Sequence, residues 1–241
     1  MTEMNKDDMA NNKSIDTLMK KMQENPEMSN VEVINSYISI FESFFKPYLI
    51  KVGPSANTVI KEELVIQQPL QDKLFHILSS QDLKIIEAFA QAKYFLDRVF
   101  FNMTEMGALE YVYNPDFLLT SEELNRQIGV SHKTLHRYTE RGMETVCDNG
   151  IKKYPLHNSY YWGNGLWVAR LQILNQVFRL RSRTIEDIKS EIKEQIKKFE
   201  STYGMPFKQF AQTDYDPNEM ENATDFREWQ HLTEELKELE G

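Results

Sequence analysis

Among 241 residues there is a single cysteine, Cys147, so no disulfide can form within the chain. A fold without internal cross-links suits a reducing compartment, and a cytoplasmic setting is expected. No apolar run approaches the roughly 20 residues that a bilayer span requires, so no membrane association is expected. The first twenty residues hold Asp7, Asp8 and Asp16 and no apolar block, which is not the pattern of a secretory leader. Phosphate-cradling glycine loops, nucleophile elbows and HExxH sequences are also missing, so neither enzymatic activity nor a cofactor is expected. His132 and His136 stand one helical turn apart, and Cys147 and His157 are further donors. No paired-cysteine spacing accompanies them, so no metal site is expected.

What is present is an uneven charge. The net charge is −9, but residues 118–184 carry ten Lys and Arg against five Asp and Glu. The flanking stretches 1–117 and 185–241 are both acidic. Screening limits each charge to about 8–10 Å, so a basic centre can hold an anion inside an acidic chain. The overall acidity argues against a non-specific polyanion binder. Fourteen Phe and eleven Tyr supply material for a sizeable core.

Residues 1–28, rich in Asn, Asp, Lys and Met, read as a flexible N-terminus. Residues 29–116 read as a helical domain. Ser29 or Asn30 caps a first helix whose apolar positions are Ile34, Ile38, Phe41 and Phe45. The stretch after Pro47 is ambiguous between helix and strand up to Gln68. "PLQDKLFHILSS" gives a short helix. From Ser80, Leu83, Ile86, Phe89, Leu96, Val99 and Phe100 form the strongest apolar stripe. A small helical bundle over 30–112 is expected. "YNPD" (113–116) marks a turn and a domain boundary.

Residues 117–162 are more specific. Thr120 and Glu123 fit a capping box. Leu124 and Ile128 lie on the inner face, Gly129 allows a left-handed turn, and Val130 fills the corner. Ser131 caps a second helix with inner positions Thr134, Leu135 and Tyr138, which Gly142 stops. "CDNG" (147–150) signals a tight hairpin, followed by Lys152, Lys153, Tyr154 and Pro155. A helix-turn-helix with a β-hairpin wing is expected, in a mainly α chain.

"LTSEELNRQIGVSHKTLHRYTERGM" followed by "GIKKYPLH" resembles the winged helix-turn-helix of MerR-like and excisionase-like DNA-binding proteins. "GM…KKYPLHNSYYW" is also similar to the small terminase subunits of tailed phages. The resemblance covers roughly residues 117–162. Two positions depart from it: Asn125 stands where a small residue, usually Ala, is common, and Glu144 where a Pro is frequent. The resemblance implies double-stranded DNA as partner and transcriptional regulation or genome packaging as role. Ser131, His132, Lys133, Thr134, His136, Arg137 and Arg141 are the expected contacts of the second helix. Arg137 is the best candidate for a base edge, since an α-helix fits the major groove. Lys152, Lys153 and Tyr154 are expected at phosphates from the wing, with support of the wing as the other reading of Tyr154.

Beyond the wing, residues 163–203 read as one long helix. A heptad pattern runs through Leu171, Phe178, Ile185, Ile192 and Phe199, with Leu174 and Ile188 in the second phase. This favours a homodimeric coiled coil, with Arg181 as a flaw that sets register. A competing reading breaks the helix at "RSRT", where Thr184 and Asp187 cap a fresh helix. Residues 204–241 form an acidic tail with a terminal helix. That helix places Phe226, Trp229, Leu232, Leu236 and Leu239 on one side. The Tyr-Gly-Met turn at 203–205 and the late Trp229 resemble short acidic antitoxin-type proteins. The leading reading is a helix that closes back on the coiled coil, and docking of this acidic apolar helix on a basic protein partner is the alternative.

Overall fold

The computed structural model describes Thr17, Lys20 and residues 28–63, 68–79, 85–212 and 223–240. The expected flexible segment 1–28 lies outside them except at Thr17, Lys20 and Met28, as do Leu83 and the acidic stretch Asp214–Glu219. Met28 itself is buried in the core. The described chain is mainly helical with small antiparallel sheets. It divides into two compact units, Met1–Arg181 and Ser182–Gly241.

The first unit opens with α1 (Asn30–Phe44). Ser29 and Glu32 form a reciprocal capping box at its start, so of the two expected candidates Ser29, not Asn30, is the cap. Strands β1 (Leu49–Pro54) and β2 (Val59–Ile60) follow. After α2 (Gln68–Ser79) and α3 (Ile85–Met103) come β3 (Thr104–Met106) and β4 (Leu109–Tyr113). β1 pairs antiparallel with β4, and β2 with β3. The all-helical bundle expected over 30–112 is therefore corrected. Along β4, Leu109 and Tyr113 are buried while Glu110 and Val112 are exposed, the period of two that a half-buried strand requires.

A short 3-10 turn (Pro115–Phe117) capped by Asn114 leads into β5 (Leu118–Leu119), α4 (Ser121–Ile128) and α5 (His132–Glu140). Strands β6 (Val146–Asp148) and β7 (Ile151–Pro155) form a hairpin, and β5 joins it in the order β5-β7-β6. Helices α6 (Asn158–Trp162) and α7 (Gly165–Arg181) complete the unit. Leu124, Leu135, Met143 and Tyr154 share one continuous hydrophobic core with Phe41, Phe89 and Phe100. The expected domain boundaries after residues 116 and 162 are therefore not where the chain divides. The apolar faces on either side of each are buried against one another.

Arg181 is the correction with the clearest cause. Its Nη1 donates to the carbonyls of Phe101 (2.7 Å) and Thr104 (2.9 Å), and Nη2 donates to that of Gly107. The guanidinium also lies over the Phe101 ring at 4.1 Å. These carbonyls sit at and just beyond the C-terminal end of α3, where a helix leaves acceptors unsatisfied and attracts a cation. What reads as a flaw in a coiled-coil seam is a side chain that closes α3.

The expected single helix over 163–203 is two helices. α7 ends at Arg181, and α8 (Ile185–Tyr203) begins at a capping box of Thr184 and Asp187. Leu174 is buried in the first unit, and Leu171 and Phe178 pack against that core. Ile192 is buried, Phe199 packs beside Trp229, Ile188 is half-buried and Ile185 is 60 % exposed. These seven side chains do not form one intermolecular seam, because most of them are already committed within their own unit.

In the second unit, α8 stops at Gly204, whose φ is 72°. α9 (Phe207–Phe210) and α10 (Ala223–Glu240) follow, and α10 packs back on α8. Trp229 is fully buried among Phe199, Tyr203, Phe207 and Phe210, with ring centroids 5.2–5.7 Å away. Trp229→Ala is expected to cost about 3–5 kcal/mol. In hydrogen exchange read by mass spectrometry, the amides of α8, α9 and α10 should lose protection while those of α3 keep theirs.

Candidate nucleic-acid interface

The turn between α4 and α5 follows from local chemistry. Thr120 Oγ1 accepts from the Glu123 amide, and the Glu123 carboxylate accepts from the Thr120 amide and hydroxyl. Those bonds hold the Glu123 carboxyl below its usual range, with nearby Lys153 as a smaller contribution. Gly129 takes φ 70°, and its amide donates to the Asn125 carbonyl. Ser131 Oγ then accepts from the Thr134 amide at 3.2 Å and starts α5.

On α5 the inward position is Leu135, buried beneath half-buried Thr134 and Tyr138. Tyr138 packs against Trp162 with tilted rings, centroids 4.6 Å apart. Ser131, His132, Lys133, His136, Arg137 and Arg141 are all exposed. Among the described residues, Lys133, Arg137 and Arg141 make no ion pair, whereas His136 lies 3.4 Å from Glu140. His132 is held from below: the Asn125 amide donates to its Nδ1 at 2.8 Å, which leaves Nε2–H pointing away from that bond. Asn125 is buried, and its Oδ1 has no partner among the described residues. The departure from a small residue at this position thus becomes a bridge to the first residue of α5.

At the hairpin tip, Asn149 (φ 50°) and Gly150 (φ 79°) adopt the left-handed pair that a tight turn requires. Lys152, opposite Cys147, is exposed. Lys153 is half-buried and lies on the Glu123 side. Tyr154 pairs with Leu119 and is 6 % exposed, so it supports the wing from within the core and is withdrawn from the expected phosphate contacts.

A second group of residues escaped the sequence reading. Glu144 enters the core between α5 and β6, where it meets α3, β4 and α6. Its Oε1 accepts from Tyr113 Oη at 2.6 Å, and its Oε2 from His157 Nε2 at 3.1 Å. Lys93 Nζ stands 3.4 Å from Glu144 and 3.0 Å from Asp97, and 4.0 Å over the Tyr111 ring. Tyr111 Oη donates to Asp97 at 2.7 Å. Asn158 Nδ2 donates to the Glu144 carbonyl at 2.9 Å. Burial opposes the Glu144 charge, but Lys93, His157 and Tyr113 outweigh it and hold the carboxyl well below its usual range. Burial pushes Asp97 up, partly offset by Lys93 and Tyr111. Burial also pushes the His157 imidazole down, with Glu144 opposing. The available signal was Lys93 and Asp97, two charges one turn apart inside the apolar stripe of α3.

Comparison with family models, curated proteins and solved structures returns no match. The residues themselves therefore carry the functional reading.

The His157 shift has a definite sign. Below its ordinary pKa of about 6.5 the unfolded chain binds a proton that the folded imidazole refuses, so stability falls as pH falls through that range. His157→Gln should flatten the dependence of unfolding free energy on pH between 7 and 5.5. The slope removed is up to about 1.4 kcal/mol per pH unit for one proton. Urea titrations of both proteins across that range measure the difference.

Proposed function

We propose that this protein is a sequence-selective binder of double-stranded DNA, with α4, α5 and the β6–β7 hairpin acting as a winged helix-turn-helix. The observation that carries the reading is the outward face of α5. It exposes His132, Lys133, His136, Arg137 and Arg141 opposite buried Leu135, at the basic centre of an acidic chain. In this reading α5 lies in the major groove. Arg137 reads a base edge, and Arg141 and Lys152 hold phosphates. The free amides at the start of α5 are a further phosphate contact. Lys153 is a weaker contributor because Glu123 stands near it. Transcriptional regulation is the leading use.

A helix that reads a few base pairs gains from two-fold symmetry. Because the heptad seam over 171–199 is occupied within the chain, the face for self-association is the outer side of α7. There Leu166, Ile173 and Leu180 recur every seven residues at 50–63 % exposure.

The test is selection from a random duplex pool at two salt concentrations, followed by titration of variants. Arg137→Ala should cost about 1–3 kcal/mol on the selected site and relax base choice at one position. Lys152→Ala should weaken all sequences alike and reduce the salt slope by about one. Binding unchanged by both substitutions would overturn the docking. Ile173→Glu should convert a dimer to a monomer in light scattering, and an unchanged mass would remove α7 from the contact.

A further inference from the structure

A cavity of about 530 Å³ lies beside Glu144, bounded by α3, β4, the connection Gly142–Val146, α6 and α7. Its size is that of sites for drug-sized molecules. Its lining includes the apolar side chains Leu109, Val146, Leu171 and Phe178. It also includes charged groups of unequal number: the carboxylates of Asp97 and Glu144 and the single ammonium of Lys93.

We propose that this cavity binds a small organic monocation, an amine on an apolar body. Two observations select that chemistry. Glu144 is the reachable charge: its side chain is 30 % exposed, against 11 % for Lys93, 15 % for Asp97 and 2 % for His157. An anion would meet an excess of negative charge, because the lining carries two carboxylates and the single ammonium, Lys93, stands beside both of them.

The cavity also reaches the reading head. Gly142, Glu144, Thr145 and Val146 connect α5 to β6. Asn175 of α7, another wall residue, donates to the Gly142 carbonyl at 3.0 Å. An occupant therefore touches the link between α5 and the wing. This regulatory extension rests on the DNA-binding reading, whereas binding of the amine does not.

The experiment uses the full chain without DNA. Calorimetric titration compares phenylalanyl-leucinamide, 4-phenylbutylamine and tryptamine, each against its N-acetyl derivative, which keeps the body and removes the charge. At least one amine should bind roughly tenfold or more tighter than its acetylated form. Glu144→Gln should abolish that preference. Absence of binding by all three amines, equal binding of the acetylated forms, or an amine preference that survives Glu144→Gln would overturn the proposal. A duplex titration with and without the amine then reads the coupling separately, so loss of DNA binding leaves the amine site standing.

Discussion

A carboxylate taken out of water must be paired and hydrogen-bonded, or it costs several kcal/mol. Glu144 meets that constraint with groups from three different parts of the chain: Lys93 of α3, Tyr113 of β4 and His157 beside α6. The residue that leads from α5 into the hairpin is therefore tied to the N-terminal helices by charge as well as by apolar contact. Removing one partner would leave this half-buried carboxylate short of compensation, so the three segments are coupled through it. This is why residues 117–162 do not separate as a module, although their local signals read as one.

The same arrangement explains what α5 presents outward. Leu135 and Tyr138 face inward, Trp162 backs Tyr138, and the exposed positions of α5 are basic or imidazole except Glu140, which lies against His136. Acidic side chains are numerous elsewhere, yet Lys133, Arg137 and Arg141 make no ion pair among the described residues. A positive helix face kept available in this way is suited to an external anion. The ends of the unit are closed with equal economy: Arg181 satisfies carbonyls at the end of α3, and Asn175 holds the carbonyl of Gly142, where φ is 96°.

Features set by neighbours in sequence were legible from it. The caps at Ser29, Thr120 and Ser131, the left-handed turn at Gly129, the Asn149-Gly150 hairpin and the stop at Gly204 all depend on residues a few positions apart. Features set by distant partners were not. Leu49 pairs with Tyr113, and that ladder turns part of an expected bundle into strands. Arg181 looked like a register flaw because its partners are backbone carbonyls far upstream. Tyr154 has a polar tip that permits either a phosphate contact or a core position, and pairing with Leu119 decides for the core. Glu144 was noticed only as a missing proline, since nothing near it in sequence reveals Lys93 or His157 as partners.

Amide hydrogen exchange of the full chain, with and without a selected duplex, addresses the outward face of α5 most directly. Protection gained at Ser131–Arg141 and at the hairpin tip Cys147–Lys152, with α8 and α10 unchanged, is the predicted result. A duplex that binds while those amides exchange as before would contradict the assignment of α5 as the reading element.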